Sequence, residues 1–464
     1  MMEYRKYNWS FLLIASFVTA MGGYLFGFDF AVITGGLPFL REQFGLDAFW
    51  EGITTGSLAL GCIAGCIIAG RIADTYGRKP GLFAAAAVFF VSSVCMGIAP
   101  SLSWFITSRF FAGIGVGMAS MLSPMFIAEI APAEVRGRLV AINQLTIVLG
   151  QVITHLENYL LRNNGPESWR WMFGLGTIPS LLFLAGVLIL PESPRFLLRI
   201  GNEKGARKVL DRVGGHSYME NTITAIKNTM NSEVKTNLRG LFTKAFLPVM
   251  AIGIGLAVFQ QFCGINVVFN YTTNIFESIG ADSSEQLLQA VWISLANLLF
   301  TLIAMALVDK WGRRPMMMGG YGILSLLYIL IGYLLFVKNG VILPLFIFLA
   351  IGTFAISLGP LTWVLISEIF PNNIRGRAIS VAVICLWSAY FILVSTFPAI
   401  EKRFGDAAAF WVYAVICAAG FLFIWLKLPE TSGKSLEEIE ILMDGNQAAI
   451  PQTIVEHAEE ESLG

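Results

Sequence analysis

Residues 73–80 read ADTYGRKP, and residues 308–315 read VDKWGRRP. Asp74/Asp309, Gly77/Gly312, Arg78/Arg313 and Pro80/Pro315 each stand 235 positions apart. A second stretch behaves the same way. IAEIAPAEVRGR (127–138) returns as ISEIFPNNIRGR (366–377), aligning Glu129/Glu368, Pro132/Pro371, Arg136/Arg375 and Arg138/Arg377 at an offset of 239. PES (191–193) returns as PET (429–431) at 238. Three motifs recurring in order at nearly one offset mark an internal duplication, and half of the 464 residues is 232.

The residues between the motifs say what was duplicated. The chain is 56% hydrophobic and 13% charged, with mean hydropathy +0.70. A soluble domain carries about 45–50% apolar and about 25% charged residues. An ordinary soluble globule, a disordered chain and a disulfide-stapled module are thereby excluded. Twelve apolar runs lie near 9–33, 52–72, 81–100, 104–128, 139–161, 170–190, 246–277, 287–308, 315–337, 342–367, 377–400 and 407–428. A helix needs roughly 20 such residues to cross the hydrocarbon core. The first run contains Asp29 and lacks a small-residue cleavage site, so it reads as a span rather than a signal peptide. The long polar interval 191–245 has helical amphipathic spacing in RFLLRIGNEKGARKVLDRV and YMENTITAIKNTM, broken at Gly214–Gly215.

The expected fold is an all-α membrane protein of twelve transmembrane helices in two parallel six-helix halves. The halves are 1–190 and 246–428, joined by a short cytoplasmic helical linker (191–245) and followed by an acidic cytoplasmic tail (429–464). Two such halves around a midplane cavity is the architecture of a rocking transporter. Orientation follows from the basic residues. With both termini inside, the outer loops hold Arg41, Arg162, Arg170, Lys338, Lys402 and Arg403, and Arg109 lies in a run; the other 24 of the 31 are cytoplasmic. The first outer loop is expected at about 35–51.

Lys+Arg and Asp+Glu balance at 31 each, so nothing points to nucleic acid. All six cysteines (62, 66, 95, 263, 385, 417) fall in apolar runs and read as free thiols; Cys62 and Cys66 read as helix packing. Three scattered histidines offer no metal, Ser/His/Asp or Cys/His constellation. Neither an enzyme nor a cofactor or metal site is expected.

The repeated charges sit at the cytoplasmic helix ends. Asp74, Arg78 and Lys79 turn the second run into the third, as Asp309, Arg313 and Arg314 do in the other half. Glu129, Arg136 and Arg138 end the fourth run; Glu368, Arg375 and Arg377 end the tenth. Topology-setting positive charge explains part of this, but acidic residues contribute little to topology. The carboxylates therefore suggest ion-paired latches holding the two halves together on the cytoplasmic side, as a bistable interface would need.

Gln144, Gln151, His155 and Asn158 are spaced by 7, 4 and 3 along the fifth run. At about 100° per residue they form one polar stripe, which in a membrane faces the bundle interior. Interhelical hydrogen bonding is the plainer use of such a stripe. The seventh run offers Gln260, Gln261, Asn266, Asn270 and Asn274 around Gly264. The tenth has a helix break expected at Gly359–Pro360 and then Trp363; the eleventh has Trp387. Unwound backbone beside amides and flat aromatic rings suits a midplane sugar site. Asp29 and Arg109 are the ionisable residues best centred in membrane runs. An unpaired charge there is costly, so the two are expected to neutralise each other. Gly113-xxx-Gly117 reads as close packing around Arg109. Glu157 is expected to snorkel to the outer interface, and His155 to be a packing residue or an outer gate contact.

The two GRK/GRR-P loops, the two E-x-x-P-x-x-x-R-G-R segments, PESPR (191–195), QQFCGIN (260–266), GPLTWVLISEIFPNNIRGR (359–377) and PETSGKSLEE (429–438) together resemble the sugar porter family of the major facilitator superfamily. The resemblance spans nearly the whole chain. It implies sugar contacts at Gln144, Gln151, Gln260, Gln261, Asn266 and Asn297. It adds Phe26, Gly359, Trp363 and Trp387 as contact or cavity positions. Symporting members carry an aspartate where Asp29 stands, so Asp29 and Arg109 are implied as the proton-coupling pair. Departures from the family pattern are Asn270 in place of a tyrosine, Leu386 in place of Gln or Asn, and His155 with Glu157. The expected function is proton symport of a monosaccharide by a monomer in the plasma membrane. A facilitative uniporter is the alternative; a transporter-like nutrient receptor would need a long signalling tail, and this one is about 35 residues.

Overall fold

A computed structural model describes residues 7–232, 241–243, 246–371 and 374–431, with the side chains at 229–232, 306–310 and 367 outside that description. The acidic tail beyond 431 and the Asp309 side chain therefore lie outside the described residues. Eighteen helices follow one another: α1 (Trp9–Phe44), α2 (Ala48–Thr75), α3 (Arg78–Gly97), α4 (Leu102–Ile130), α5 (Ala133–Leu161), α6 (Ser168–Gly174), α7 (Thr177–Ile189), α8 (Pro194–Arg199), α9 (Glu203–Ser232), α10 (Leu247–Phe262), α11 (Ile265–Asn270), α12 (Thr272–Glu277), α13 (Ser283–Trp311), α14 (Arg313–Phe336), α15 (Leu343–Ile356), α16 (Leu358–Glu368), α17 (Arg375–Phe404) and α18 (Asp406–Lys427). Among the described residues there is no strand. Twelve stretches of the described residues are long and apolar enough to cross a membrane, six on each side of the linker. The first loop corrects the expectation of 35–51. It is only Gly45–Asp47, because α1 runs on through Pro38 to Phe44 and is closed by Gly45 in the left-handed conformation (φ +60°).

The sixth span divides between α6 and α7, and two spans of the second half are broken at three points. Gly264 (φ +86°) separates α10 from α11, with the Tyr413 ring packed where a side chain would be. Tyr271 (φ −117°, ψ 27°) separates α11 from α12. The tenth span breaks at Ser357 (φ −115°, ψ −88°) rather than at Gly359–Pro360. Pro360 has no N–H, and its ring presses on the carbonyl four residues earlier, Ile356, so the helix yields one turn before the proline.

Small residues set how closely the helices meet. A Cβ on Gly61 of α2 would stand 1.9 Å from the Phe110 carbonyl oxygen of α4, and one on Gly113 would stand 2.1 Å from the Leu58 oxygen. The same holds between α1 and α5, where Gly27 meets the Ile147 oxygen at 1.9 Å. Gly113 and Gly117 thus do what their spacing suggests, packing α4 on α2 beside Arg109. All six cysteines are free.

The linker is two pieces. Gly201 (φ +78°) divides α8 from α9, and Gly215 (φ +77°) kinks α9. It is held to the start of α1: the Asn8 amide donates to the Val213 carbonyl at 2.8 Å, Arg212 lies 4.4 Å over the Phe11 ring, and Tyr7 meets Tyr218 edge-on at 5.6 Å. On its exposed side Lys227 and then Arg207 hydrogen-bond Glu203 and hold that carboxyl below the ordinary glutamate range.

Gly61→Val tests the packing. An isopropyl group at a backbone contact costs about 1–3 kcal/mol as overpacking. The detergent-solubilised variant should melt at a lower temperature than the unaltered protein, whereas Gly137→Val, at a site with nothing within 4 Å, should cost far less.

Candidate functional site

The amides of α10 and α11 form a chain. Gln261 Nε2 donates to Gln260 Oε1 at 2.6 Å, and Asn266 Nδ2 donates to Gln261 Oε1 at 2.5 Å. The left-handed turn at Gly264 brings these three together, since an unbroken helix would place Gln261 and Asn266 about 140° apart. Asn270 Nδ2 donates to the Asn266 carbonyl at 2.6 Å, and Tyr390 of α17 donates its hydroxyl to Asn270 Oδ1 at 3.2 Å. Both ends of the Asn270 amide are thus engaged within the protein, and the residue acts as a tie between α11 and α17.

Across the halves, Asn297 of α13 donates to Gln151 of α5 at 2.8 Å. Asn158, further along the same stripe, donates to the Ala31 carbonyl of α1 at 3.0 Å, and Gly35 leaves room for it. His155 is buried, with both ring nitrogens unbonded within the protein. The aromatic wall is larger than expected. Phe26 meets Trp387 at 5.5 Å, and Phe30 meets Phe26 at 4.8 Å and Tyr390 at 4.9 Å. Gln144 and Trp363 are half-buried and Gly359 is buried; neither Gln144 nor Trp363 bonds the amide chain.

Asp29 and Arg109 do meet. Arg109 Nη1 donates to Asp29 Oδ1 at 3.3 Å, with both side chains almost wholly buried (1% and 0% exposed). The pairing is one-armed: Asp29 Oδ2 and Arg109 Nε bond nothing within the protein, and the guanidinium lies 5.5 Å over the Phe173 ring. A carboxylate–guanidinium pair is strongest as a two-armed fork. This one leaves part of each group unmatched in a low-dielectric interior.

The repeated charge motifs correct the expected latch. The pairs seen among the described residues lie inside each half. In the first half Arg78 Nη2 donates to Glu129 at 2.7 Å, Ser193 donates to the other Glu129 oxygen, and Glu192 accepts from the Arg78 and Lys79 amides at 3.0 and 3.1 Å. The second half repeats the unit. Arg313 stands 3.7 Å from Glu368, Thr431 donates to Glu368 at 2.8 Å, and Glu430 accepts from the Arg313 and Arg314 amides at 3.0 and 3.1 Å. Gly77 (φ +107°) and Gly312 (φ +80°) start the two helices, and a side chain on Gly77 would collide with the Glu192 carboxylate. Asp74 pairs with Arg199 of α8 at 3.0 Å. Arg375 donates to the Phe370 carbonyl at 3.0 Å, while Arg136, Arg138 and Arg377 are exposed. Sequence reasoning missed Glu192 and Glu430 as helix caps, although the PES/PET repeat held the signal: a carboxylate duplicated at the motif offset.

This is a membrane carrier built from two six-helix halves around a polar, aromatic-walled centre. A family model, "Sugar (and other) transporter", matches residues 15–443. The chain is 35% identical to an arabinose–proton symporter of Bacillus subtilis over 94% of this chain and 96% of that protein. It is also 35% identical to a D-xylose–proton symporter of Escherichia coli over 97% and 99%. A solved structure of the E. coli xylose transporter in a partially occluded inward-open conformation superposes with TM-score 0.83 at 34% identity, covering 92% of this chain and 100% of that one. The same transporter bound to 6-bromo-6-deoxy-D-glucose gives TM-score 0.83 at 35% identity, covering 94% and 100%. The chain belongs to the sugar transporter family. It is a multi-pass membrane transporter, not an enzyme.

Glu192→Ala would leave two amides at the start of α3 without their acceptor, at about 1 kcal/mol for a lost cap. Glu430→Ala should act alike on α14. Each should lower the melting temperature, and the double variant should show the sum, because the two caps lie in separate units.

Proposed function

We propose that the protein carries a monosaccharide across the plasma membrane together with a proton, by alternating access. The named relatives, symporters for arabinose and xylose, support the substrate class. The observation that carries the reading is the buried, one-armed Asp29–Arg109 pair beside the amide and aromatic centre. An ionised Asp29 holds Arg109; a protonated Asp29 releases it. The empty carrier returns with the pair formed, whereas a protonated carrier without sugar would take an unmatched Arg109 charge through closure, and that asymmetry ties the two fluxes together. Sugar hydroxyls are met by Gln151, Asn297, Gln260, Gln261, Asn266 and Gln144, and the ring face by Phe26, Trp387 and Trp363 beside the Gly359 backbone. The divisions 1–190, 191–245, 246–428 and 429–464 act as two moving halves, a linker and a tail. The excess of basic residues on the linker side supports a cytoplasmic linker and termini. The carrier works as a monomer.

Two substitutions test this in proteoliposomes. Asp29→Asn should abolish sugar-driven proton uptake and uphill accumulation while keeping sugar binding and counterflow. Alkalinisation on sugar addition in that variant would place the proton site elsewhere, and its absence in the unaltered protein would make the carrier a uniporter. Gln260→Ala leaves sugar hydroxyls unpaired at about 1–3 kcal/mol, a 5- to 100-fold loss of affinity. Unchanged affinity would remove Gln260 from the site.

A further inference from the structure

Several hydrogen bonds join described residues of the two halves at the centre and toward the face opposite the linker. At the centre is Asn297–Gln151. Beyond it, Thr34 of α1 donates to the Phe269 carbonyl at 2.7 Å, and Thr273 of α12 donates back to the Thr34 carbonyl at 3.4 Å. At the rim, Arg41 holds Glu51 at 2.8 Å and reaches Glu277 at 3.2 Å, while Asn274 donates to Glu51 at 2.8 Å. Each of the two middle bonds uses a backbone carbonyl, which inside a helix is normally taken by the amide four residues on.

Two defects free those carbonyls. Pro38 lies inside α1, four residues after Thr34, and has no N–H to give. The break at Tyr271 interrupts the ladder that Phe269 would enter. A third carbonyl completes the pattern: Pro398 inside α17 frees the carbonyl of Val394, and Tyr271 donates its hydroxyl there at 2.7 Å. Thr273 and Tyr271, two residues apart in the broken seventh span, thus satisfy two proline-freed carbonyls on two different helices. One lies in the other half and the other in their own.

We infer that Pro38, Thr34 and Thr273 form the outer gate of the carrier, in which a proline-freed carbonyl supplies the bond that closes the halves. The Tyr271–Val394 bond stays within one half, so it keeps the gate segment on α17 in both states. The Thr34–Thr273 bond crosses the halves and must break when the outer face opens. The carbonyl of Thr34 is then left to water, which an opened outer vestibule admits. In a helix without Pro38 that carbonyl would be satisfied in both states, and nothing in it would favour closure. A proline normally weakens a helix; here it moves one hydrogen bond from the helix to the gate. The inference rests on the alternating-access reading but not on the sugar or the proton.

The test reads gate opening without substrate. Ser395 of α17 packs against Gly52 and Gly56 of α2 at the seam, so Ser395→Cys reports separation of the halves to an impermeant maleimide added outside, with the unaltered chain measured for background. Pro38→Ala returns a donor to Thr34, and Thr273→Val removes the hydroxyl at nearly constant shape. Each should speed labelling about five-fold, the equilibrium value of one neutral hydrogen bond. The double variant should match either single one, because both remove the same bond. Pro38→Ala should not lower the melting temperature. Unchanged or slower labelling in Thr273→Val, or fully multiplicative effects in the double variant, would overturn the gate. If Pro38→Ala fails to insert, the Thr273→Val result decides alone. Sugar uptake with no proton flux would overturn symport while leaving the gate standing.

Discussion

A carbonyl inside the hydrocarbon core has no water to bond, so every break in a spanning helix must be answered from within the protein. That constraint shapes this carrier more than any single contact. Besides the division of the sixth span, three breaks, at Gly264, Tyr271 and Ser357, are in the second half, and two of the three fall in the span that carries Gln260, Gln261, Asn266 and Asn270. Irregular backbone is confined to the interior because only there can Thr34, Tyr271, Thr273 and the amides supply the missing partners. The same irregularity gives the centre its side-chain geometry: without the left-handed residue at 264, the three amides could not form a chain.

The two faces use charge differently. On the linker face, arginine, glutamate, capping carboxylate and hydroxyl form one unit, built twice, each copy inside its own half. Such a unit survives any rocking motion and keeps each half stiff. On the opposite face, Arg41–Glu277 and Asn274–Glu51 cross between halves and must be remade each cycle. A charge pair that persists in both states adds no preference for either, whereas one that crosses the seam does. The repeat thus encodes two rigid bodies, and the unrepeated outer residues encode the choice between their arrangements.

Much of this was legible in the residues. The twelve spans were visible because roughly 20 apolar residues are a physical length, and the halves because ADTYGRKP and VDKWGRRP carry the same register. Asp29 with Arg109 followed from the cost of a lone charge. The partners of the latch motifs were not legible: a carboxylate at a helix end can pair along its own half or across the seam, and spacing does not distinguish the two. Glu192 and Glu430 hid because a cap is a contact to backbone, which carries no sequence signal at the receiving end. The break at Ser357 was displaced from Gly359–Pro360 because proline acts on the carbonyl one turn before itself. Tyr390 escaped notice because its role depends on Asn270, whose amide it meets only in the fold.

One helix unites the working parts. Along α1, Phe26 stands against Trp387, Asp29 meets Arg109, Phe30 packs on Tyr390, and Thr34 closes on Phe269 and Thr273. Eight residues at about 1.5 Å each put the proposed sugar wall, proton pair and gate within about 12 Å on one rod. No long chain of contacts is needed to join them. On the proposed reading, freeing Arg109 would change what holds α1 to α4, sugar against Phe26 would change what holds it to α17, and Thr34 would register the resulting slide or rotation, because its carbonyl reaches Thr273 only at 3.4 Å, near the limit of a hydrogen bond. A long, marginal bond at the end of a stiff lever is easily lost. That makes it a fitting last contact for a gate that opens and closes on every turnover.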